Sequence, residues 1–118
     1  MTVRDLRRVI ISVADRERSL PLYRDTLGLT EKYVAGEITM LALPGSDLEV
    51  LLHERTPTSG LAGISLSFRT DDVDTLTSAA VRAGATVIDA PADQPWGERQ
   101  SVLTDPDGHV ICLVSASE

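Results

Sequence analysis

The side chains able to do chemistry are few, and several of them lie close together near the end of the chain. Trp96, His109 and Cys112, which include the only tryptophan and the only cysteine, fall within residues 94–114. A cysteine reacts as a thiolate, which forms when a base or a cation lies beside the sulfur. An indole ring offers a flat stacking surface and one hydrogen-bond donor. These residue types therefore indicate two possible functions for the stretch, nucleophilic attack by a thiol and binding of a planar ligand.

The sequence gives little support to catalytic triads, phosphate-binding loops or cysteine-based metal sites. His53 and His109 are the two histidines, and both are predicted at strand ends. The sequence contains no Gly-x-Ser-x-Gly elbow and no glycine-rich phosphate loop. A single cysteine excludes an internal disulfide and a cage of cysteine ligands. Two interpretations of Cys112 stand: a small buried apolar side chain, the usual role of a mid-strand cysteine, or a thiol activated by Arg8 or His53.

The composition indicates one globular domain that covers residues 1–118. Hydrophobic residues make up 42% of the chain and charged residues 25%, a balance typical of folded domains. The net charge of −7 repels phosphate backbones and anionic lipids, so neither nucleic acids nor membranes are expected as partners. No apolar run approaches the roughly 18 residues of a membrane span, and no long apolar stretch follows the basic start of the chain. We therefore expect a cytoplasmic protein.

Two similar halves of the chain decide the predicted fold. The halves are offset by 55 residues at Ser12 and by 56 residues at Gly28. In each half an apolar strand is followed by an acidic turn, a helix and a Gly-x-Thr sequence, and further strands come next. The sequence therefore predicts two βαβββ modules in tandem, residues 1–55 and residues 61–118.

Local patterns place the elements that must position these side chains. Short β-branched runs predict strands, and apolar residues at helical spacing predict one helix in each half. Asp15 is the predicted cap of the first helix, Pro21 puts the start of its regular part nearby, and Gly28 ends it. The Asp-Pro-Asp-Gly turn at residues 105–108 is assigned a structural role. The predicted strands are residues 9–13, 31–35, 38–43 and 48–53, then 61–68, 86–88, 99–104 and 109–114, and the second helix is residues 72–83.

Two motifs make the sequence resemble the vicinal oxygen chelate superfamily. They are ISVADRERSLPLYRDTLGL at residues 11–29 and PWGERQSVLTDPDGHVICLV at residues 95–114. That superfamily includes glyoxalase I, extradiol dioxygenases and bleomycin-binding resistance proteins. The resemblance implies an α+β fold in which two βαβββ modules form curved mixed sheets around a concave pocket, and it implies a homodimer.

The resemblance also identifies four strand positions at which the metal enzymes of the superfamily bind a divalent ion through His, Glu or Gln. In this chain these positions match Arg8, Glu49, Gly63 and Cys112. Arginine stays protonated and glycine has no side chain. The other two groups are fewer than the three protein ligands of a usual catalytic metal. We therefore predict no metal and no other cofactor.

Without a metal, the concave face is predicted to be a pocket lined by alternate strand residues. Two interpretations of Arg8 stand: it pairs with Glu49 across the pocket, or it is solvated, as an arginine at a strand end more often is. The predicted ligand-binding residues are Arg8, Ile10, Ser12, Glu49, Leu51, Ser65, Ser67, Trp96 and Cys112.

Trp96 keeps two interpretations of equal weight. The Pro-Trp-Gly sequence resembles a loop that lies beside the ligand groove in bleomycin-binding members. The alternative is that Trp96 packs the loop onto the sheet or onto a dimer partner, since tryptophan favours interfaces as well.

The leading functional prediction is a metal-independent protein that binds an antibiotic or a metabolite and sequesters it without a reaction. The alternative is a metal-dependent lyase, isomerase or dioxygenase of the same superfamily, so catalysis is left open. A third is a subunit that serves a protein–protein contact. The acidic net charge favours a cationic ligand, whereas four aromatic side chains in all favour a small or less planar one.

Overall fold

A computed structural model of the protein describes residues 5–57 and 64–116. The chain divides into two compact units, Met1–Pro57 and Thr58–Glu118, which we call the N-terminal and C-terminal units. Each contains one four-stranded mixed sheet and helix on one side of it, which confirms the predicted α+β class and the βαβββ order. Neither α-helix among the described residues has the length and apolar character needed to cross a membrane.

The N-terminal unit is a sheet with strand order β1-β4-β3-β2. The outer strand β1 is parallel to β4, and the other pairs are antiparallel. A short α-helix continues directly into a π-helical segment between β1 and β2. The elements are β1 Arg8–Val13, α1 Arg16–Leu20, the π-helical segment Pro21–Thr26, β2 Thr30–Ala35, β3 Ile38–Ala42 and β4 Glu49–Glu54.

The C-terminal unit repeats this topology, with strand order β5-β8-β7-β6. Its elements are β5 Leu66–Arg69, α2 Val73–Arg82, β6 Thr86–Asp93, β7 Glu98–Thr104 and β8 Val110–Ala116. The strand predicted at 86–88 is longer in the structure because β6 continues past Pro91. Proline is tolerated there since β6 is an edge strand, and two register irregularities relieve the pairing. The first residues of the strand predicted at 61–68 lie outside the described residues.

Equivalent aspartates begin the helix of each unit. The Asp15 carboxylate accepts a hydrogen bond from the Glu17 N–H at 3.0 Å, which confirms the predicted cap. The Asp72 carboxylate accepts from the Thr75 N–H at 3.0 Å and from its hydroxyl at 2.8 Å. Asp15 and Asp72 are 57 positions apart. Gly63, which the sequence analysis matched to Arg8, lies outside the described residues.

The π-helical segment accounts for the change in offset from 57 at the capping aspartates to 56 at Gly28 and Gly84. The Leu27 N–H donates to the Leu22 carbonyl at 2.8 Å, five residues back, so this turn holds one residue more than an α-helical turn. Pro21 begins the segment because it has no N–H to continue the α-helical pattern. The regular helix consequently precedes Pro21, whereas the sequence placed its start near that proline. Gly28 follows with a φ of +83° and ends the turn as predicted.

The core of each unit lies between its helical side and one face of its sheet. In β1 the residues Ile11 and Val13 are buried while Arg8 and Ile10 are exposed, as alternation in a strand requires. In the C-terminal unit the buried hydroxyls of Thr77 on α2 and Ser101 on β7 share a hydrogen bond of 2.7 Å. We call the opposite side of each sheet its open face, the side that carries Arg8 in one unit and Cys112 in the other.

Candidate ligand-binding site

A buried carboxylate surrounded by three cations marks the open face of the N-terminal unit. The Glu49 side chain is only 5% exposed. Its Oε1 accepts from Arg8 Nη2 at 2.6 Å and from Arg8 Nε at 3.2 Å, and its Oε2 accepts from Lys32 Nζ at 2.7 Å. Arg7 Nε lies 3.6 Å from Oε1. Both carboxylate oxygens are therefore occupied by cationic donors.

The strand register explains which side chains meet at Glu49. Arg8 and Glu49 are direct neighbours on the parallel strands β1 and β4, so the predicted pair forms. Lys32 was not among the predicted residues. It lies two residues after Thr30, which pairs with Ala42 beside Glu49, so alternation along β2 keeps the Lys32 side chain on the open face, where it reaches Glu49. The bulge between Glu31 and Tyr33 acts on the next residue, since it brings Tyr33 to the same face, opposite Met40.

The two cations stabilise the charged form of Glu49. Hydrogen bonds from Lys32 and then from Arg8 lower the pKa of Glu49 from 4.5 to about 2, against the opposing effect of desolvation. The carboxylate is therefore ionised throughout the neutral pH range. Because it is charged at neutral pH and already has its donors, its structural effect is to hold the two cationic groups in fixed positions.

A row of apolar side chains crosses the whole sheet beside this charged group. Ile10 is opposite Leu51, Leu51 is opposite Met40, and Met40 is opposite Tyr33, so the row takes one residue from each of β1, β4, β3 and β2. Leu51 and Met40 in the middle are buried, whereas Ile10 is 55% exposed and Tyr33 47% exposed. The open face thus places an apolar strip directly next to a charged one, a combination that suits a small organic ligand.

A polar row follows on the other side of the apolar strip. Ser12 on β1 is opposite His53 on β4, which is in turn opposite Ile38 on β3. The Ser12 hydroxyl accepts a hydrogen bond from Arg55 Nε at 2.7 Å. The structure therefore gathers Arg8, Ile10, Ser12, Glu49 and Leu51 from the predicted set on one face of one sheet.

The predicted residues of the C-terminal unit lie on the open face of their own sheet. Cys112 on β8 is half-buried and has Ser67 and Val102 as its cross-strand neighbours. Neither of these two neighbours is a base or a cation. Ser65 is exposed and immediately precedes β5. Within the described ranges no three His, Cys, Asp or Glu side chains are grouped so that they could hold a metal ion.

Trp96 lies at the tip of the hairpin between β6 and β7. Pro95 and Trp96 are the central residues of a turn closed by a hydrogen bond from the Gly97 N–H to the Gln94 carbonyl at 3.1 Å. Gly97 has a φ of +93°, which completes this type of hairpin connection. The indole is 61% exposed, and its N–H donates to Glu98 Oε1 at 2.7 Å. Within the C-terminal unit, Trp96 is therefore a projecting aromatic surface rather than a packed side chain.

The turn at residues 105–108 has the structural role predicted for it. The Asp105 carboxylate accepts from the N–H groups of Asp107 and His109, both at 2.9 Å. The Gly108 N–H closes the turn on the Asp105 carbonyl at 2.9 Å. The aspartate thus organises the connection into β8 through local hydrogen bonds.

An open cavity of about 500 Å³ lies in the C-terminal unit, near the hairpin that carries Trp96. Arg69 and Glu98 supply charges of opposite sign to it, and the end of β8 forms one wall. The lining residues are Arg69, Thr70, Asp71, Gly97, Glu98, Val114, Ser115 and Ala116. This polar surface was not predicted from the sequence, because Arg69 and Glu98 carry no motif.

Comparison with known proteins places this geometry in a family. A family model described as the Glyoxalase/Bleomycin resistance protein/Dioxygenase superfamily matches residues 5–113. An antibiotic binding protein from Streptomyces sp. CB03234 is 31% identical, with 99% of each chain covered and a TM-score of 0.73. A family enzyme of the same description from Burkholderia phytofirmans PsJN is 27% identical, covers 97% of this chain and 100% of that one, and has a TM-score of 0.81.

A curated relative covers less of the chain. An uncharacterized protein of Mycobacterium bovis is 46% identical over 55 residues, which are 46% of this chain and 36% of that protein. The aligned part of this chain therefore spans about a third of the length of that relative.

Proposed function

Because the chain belongs to the Glyoxalase/Bleomycin resistance protein/Dioxygenase superfamily, we propose that it binds a small organic molecule without the help of a metal ion. The ligand, an antibiotic or a metabolite, is held on the open face of the N-terminal sheet. It is sequestered there and not chemically changed.

The observation that carries this proposal is the apolar row across the four strands. Ile10 and Tyr33 leave about half of their surfaces accessible at its two ends, while Leu51 and Met40 form a buried floor between them. Exposed apolar surface that continues into a packed floor is typical of binding surfaces, because a ligand removes it from water. Polar groups on both sides of the row provide hydrogen-bonding partners that would orient the ligand.

Metal independence is supported by the side chains at the four positions where the metal enzymes have their ligands. Of these, Arg8 stays protonated and Gly63 has no side chain, whereas Cys112 has Ser67 and Val102 as its cross-strand neighbours. Glu49 has a suitable carboxylate, but its two oxygens already accept hydrogen bonds from Arg8 and Lys32. A metal ion would have to displace both cations and then find its other ligands elsewhere.

The comparison with an antibiotic binding protein supports the same proposal. That Streptomyces protein is 31% identical over nearly the full length of both chains. Its description concerns that protein alone, and it makes binding of an antibiotic or a metabolite a reasonable activity to test in this one.

Binding is tested by screening small molecules in buffer that contains a chelator. A panel of aromatic and aliphatic metabolites, with bleomycin included, is screened by thermal denaturation, since a ligand that binds only the folded chain raises its melting temperature. The best compound is then titrated calorimetrically into the wild type, Ile10→Ser and Ile88→Ser. Ile10 and Ile88 are 55% and 50% exposed and both lie on edge strands, so Ile88→Ser is a matched control.

We expect Ile10→Ser to weaken binding and Ile88→Ser to leave it unchanged. Elemental analysis of protein purified without a chelator is expected to show far less than one metal ion per chain. One equivalent of Ni, Zn, Mn or Fe, together with binding that the chelator abolishes, would overturn the proposal in favour of a metal-dependent enzyme. Equal effects of the two isoleucine substitutions would place the ligand elsewhere.

A further inference from the structure

The open face of the N-terminal unit has a local positive charge, although the chain has a net charge of −7. Arg8 and Lys32 carry two positive charges and share the single negative charge of Glu49. In the part of the chain that the structure describes, Glu49 is the only carboxylate paired with either of them. Arg7 is less informative, because it borders a shallow cavity together with Asp5 and Asp47. Arg8, Lys32 and Glu49 together therefore carry one positive charge in excess.

Both cations keep hydrogen-bond donors that Glu49 does not use. The Arg8 guanidinium binds Oε1 through Nε and Nη2, which leaves both N–H groups of Nη1. Lys32 uses one of its three N–H groups on Oε2. The side chains of Arg8 and Lys32 are 36% and 42% exposed, so a ligand can reach these donors.

The buried Glu49 carboxylate holds the two cations in place before any ligand arrives. Side chains as long as arginine and lysine lose considerable conformational entropy when a ligand fixes them. In this protein the two side chains are already ordered before a ligand binds, since Arg8 and Lys32 are hydrogen-bonded to opposite oxygens of the Glu49 carboxylate. A ligand therefore does not have to order them. Their neighbour in the sheet is the apolar row that begins at Ile10.

We propose that Arg8 and Lys32 bind the carboxylate of an amphipathic, singly charged organic acid whose apolar part lies on the row from Ile10 to Tyr33. The inference rests on the proposed binding function and adds the chemical class of the ligand. It replaces the cationic ligand expected from net charge, because the field at a site depends on the groups that surround it and not on the sum over the chain.

The test uses three probes that share one apolar body and differ in charge. Indole-3-acetate is anionic, indole-3-acetamide is neutral and tryptamine is cationic. Each is titrated into 15N-labelled wild-type protein, and the Arg8 side-chain Nε–H and the Lys32 backbone amide are followed by NMR. We expect indole-3-acetate to bind most tightly, with a dissociation constant in the millimolar range or below, indole-3-acetamide to bind less tightly and tryptamine least.

Variants separate a specific contact from a general charge effect. Arg8→Met and Lys32→Met are each expected to weaken indole-3-acetate binding about five- to tenfold and to leave indole-3-acetamide binding nearly unchanged. Lys32→Arg keeps the charge and is expected to retain most of the affinity. Arg24→Met is the matched control: Arg24 is 39% exposed and pairs with Asp25 and Glu31 away from this cluster.

The outcomes distinguish this inference from the proposed function. Binding of all three probes with equal affinity, or equal weakening by Arg24→Met and Arg8→Met, would overturn the assignment of an anionic ligand and leave small-molecule binding intact. Failure of indole-3-acetate to shift either reporter would also overturn it. The proposed function fails on separate measurements, the metal content of the protein and the screen for bound compounds.

Discussion

Replacement of Lys32 by methionine tests the electrostatic description of the Glu49 cluster. Methionine keeps the length and apolar character of the lysine stem and removes the ammonium group that donates to Glu49 Oε2 at 2.7 Å. Arg8 then remains hydrogen-bonded to Oε1, with Arg7 Nε 3.6 Å from the same oxygen. The substitution isolates the contribution of one cation and leaves the strand register unaffected.

The size of the effect follows from the pKa of Glu49. Lys32 is the largest cause and Arg8 the second largest of the fall from 4.5 to about 2, which corresponds to a roughly 300-fold weaker affinity for the proton. An opposite charge in contact typically lowers a carboxyl pKa by about 1–3. We expect Lys32→Met to raise the pKa of Glu49 by at least about 1, Arg8→Met to raise it less, and Arg7→Met to raise it least.

The same pKa fixes the pH range in which Glu49 affects stability. Its pKa is lower in the folded chain than in the unfolded chain, so the unfolded chain binds the proton more readily. The ionised cluster therefore contributes fully to stability above pH 4.5, and this contribution is lost as the pH falls from 4.5 towards 2. Lys32→Met should move the start of that loss to a higher pH and reduce its extent.

The assay is a titration of the side-chain carboxyl carbons by NMR. Glu49→Gln identifies the resonance by its disappearance, and Arg24→Met, which removes a cation elsewhere in the same unit, should leave the titration of Glu49 unchanged. A wild-type Glu49 that titrates near 4.5 would refute the reasoning. So would a Lys32→Met protein in which the titration of Glu49 is the same as in the wild type.

Three further predictions concern stability and are measured by denaturant unfolding monitored by circular dichroism. Thr77→Val leaves the Ser101 hydroxyl buried without its 2.7 Å partner and should lower the free energy of unfolding by about 1–3 kcal/mol. Ser101→Ala should lower it less in the Thr77→Val background than in the wild type, because the hydrogen bond is already lost. Fully additive effects of the two substitutions would mean that the hydrogen bond is absent. Leu52→Ala removes a fully buried side chain and should cost about 2–5 kcal/mol, so a loss below about 1 kcal/mol would contradict the packing. Trp96→Ala should change stability by no more than about 0.5 kcal/mol because the indole is largely exposed, and a larger loss would show that it is packed in the folded protein.

Local signals in the sequence were sufficient for the order of the elements. Asp15 and Asp72 cap their helices through contacts with residues two and three positions away, which a short window of sequence contains. The offset between the halves is 57 at the capping aspartates and 56 at Gly28 and Gly84, because a π-helical turn absorbs one extra residue in the first half. Pro21 alone does not distinguish that turn from a helix start. The length of β6 was underestimated because pairing with β7 outweighs the presence of Pro91.

The candidate site was only partly accessible from the sequence. Strand alternation places Arg8 and Glu49 on one face, and their direct pairing follows once β1 and β4 are adjacent and parallel. Lys32 reaches Glu49 across β3, so its contact depends on the strand order, which the residues themselves do not reveal. The single domain, the homodimer and a role of Trp96 or Cys112 in binding remain predictions.

Native mass spectrometry of the protein purified without a chelator tests the central claim most directly. Metal-independent binding predicts that the chain carries the mass of a small organic molecule and no metal ion, and that a chelator does not release the molecule. A chain that carries one divalent metal ion, and that loses its bound molecule when a chelator removes the metal, would contradict the account.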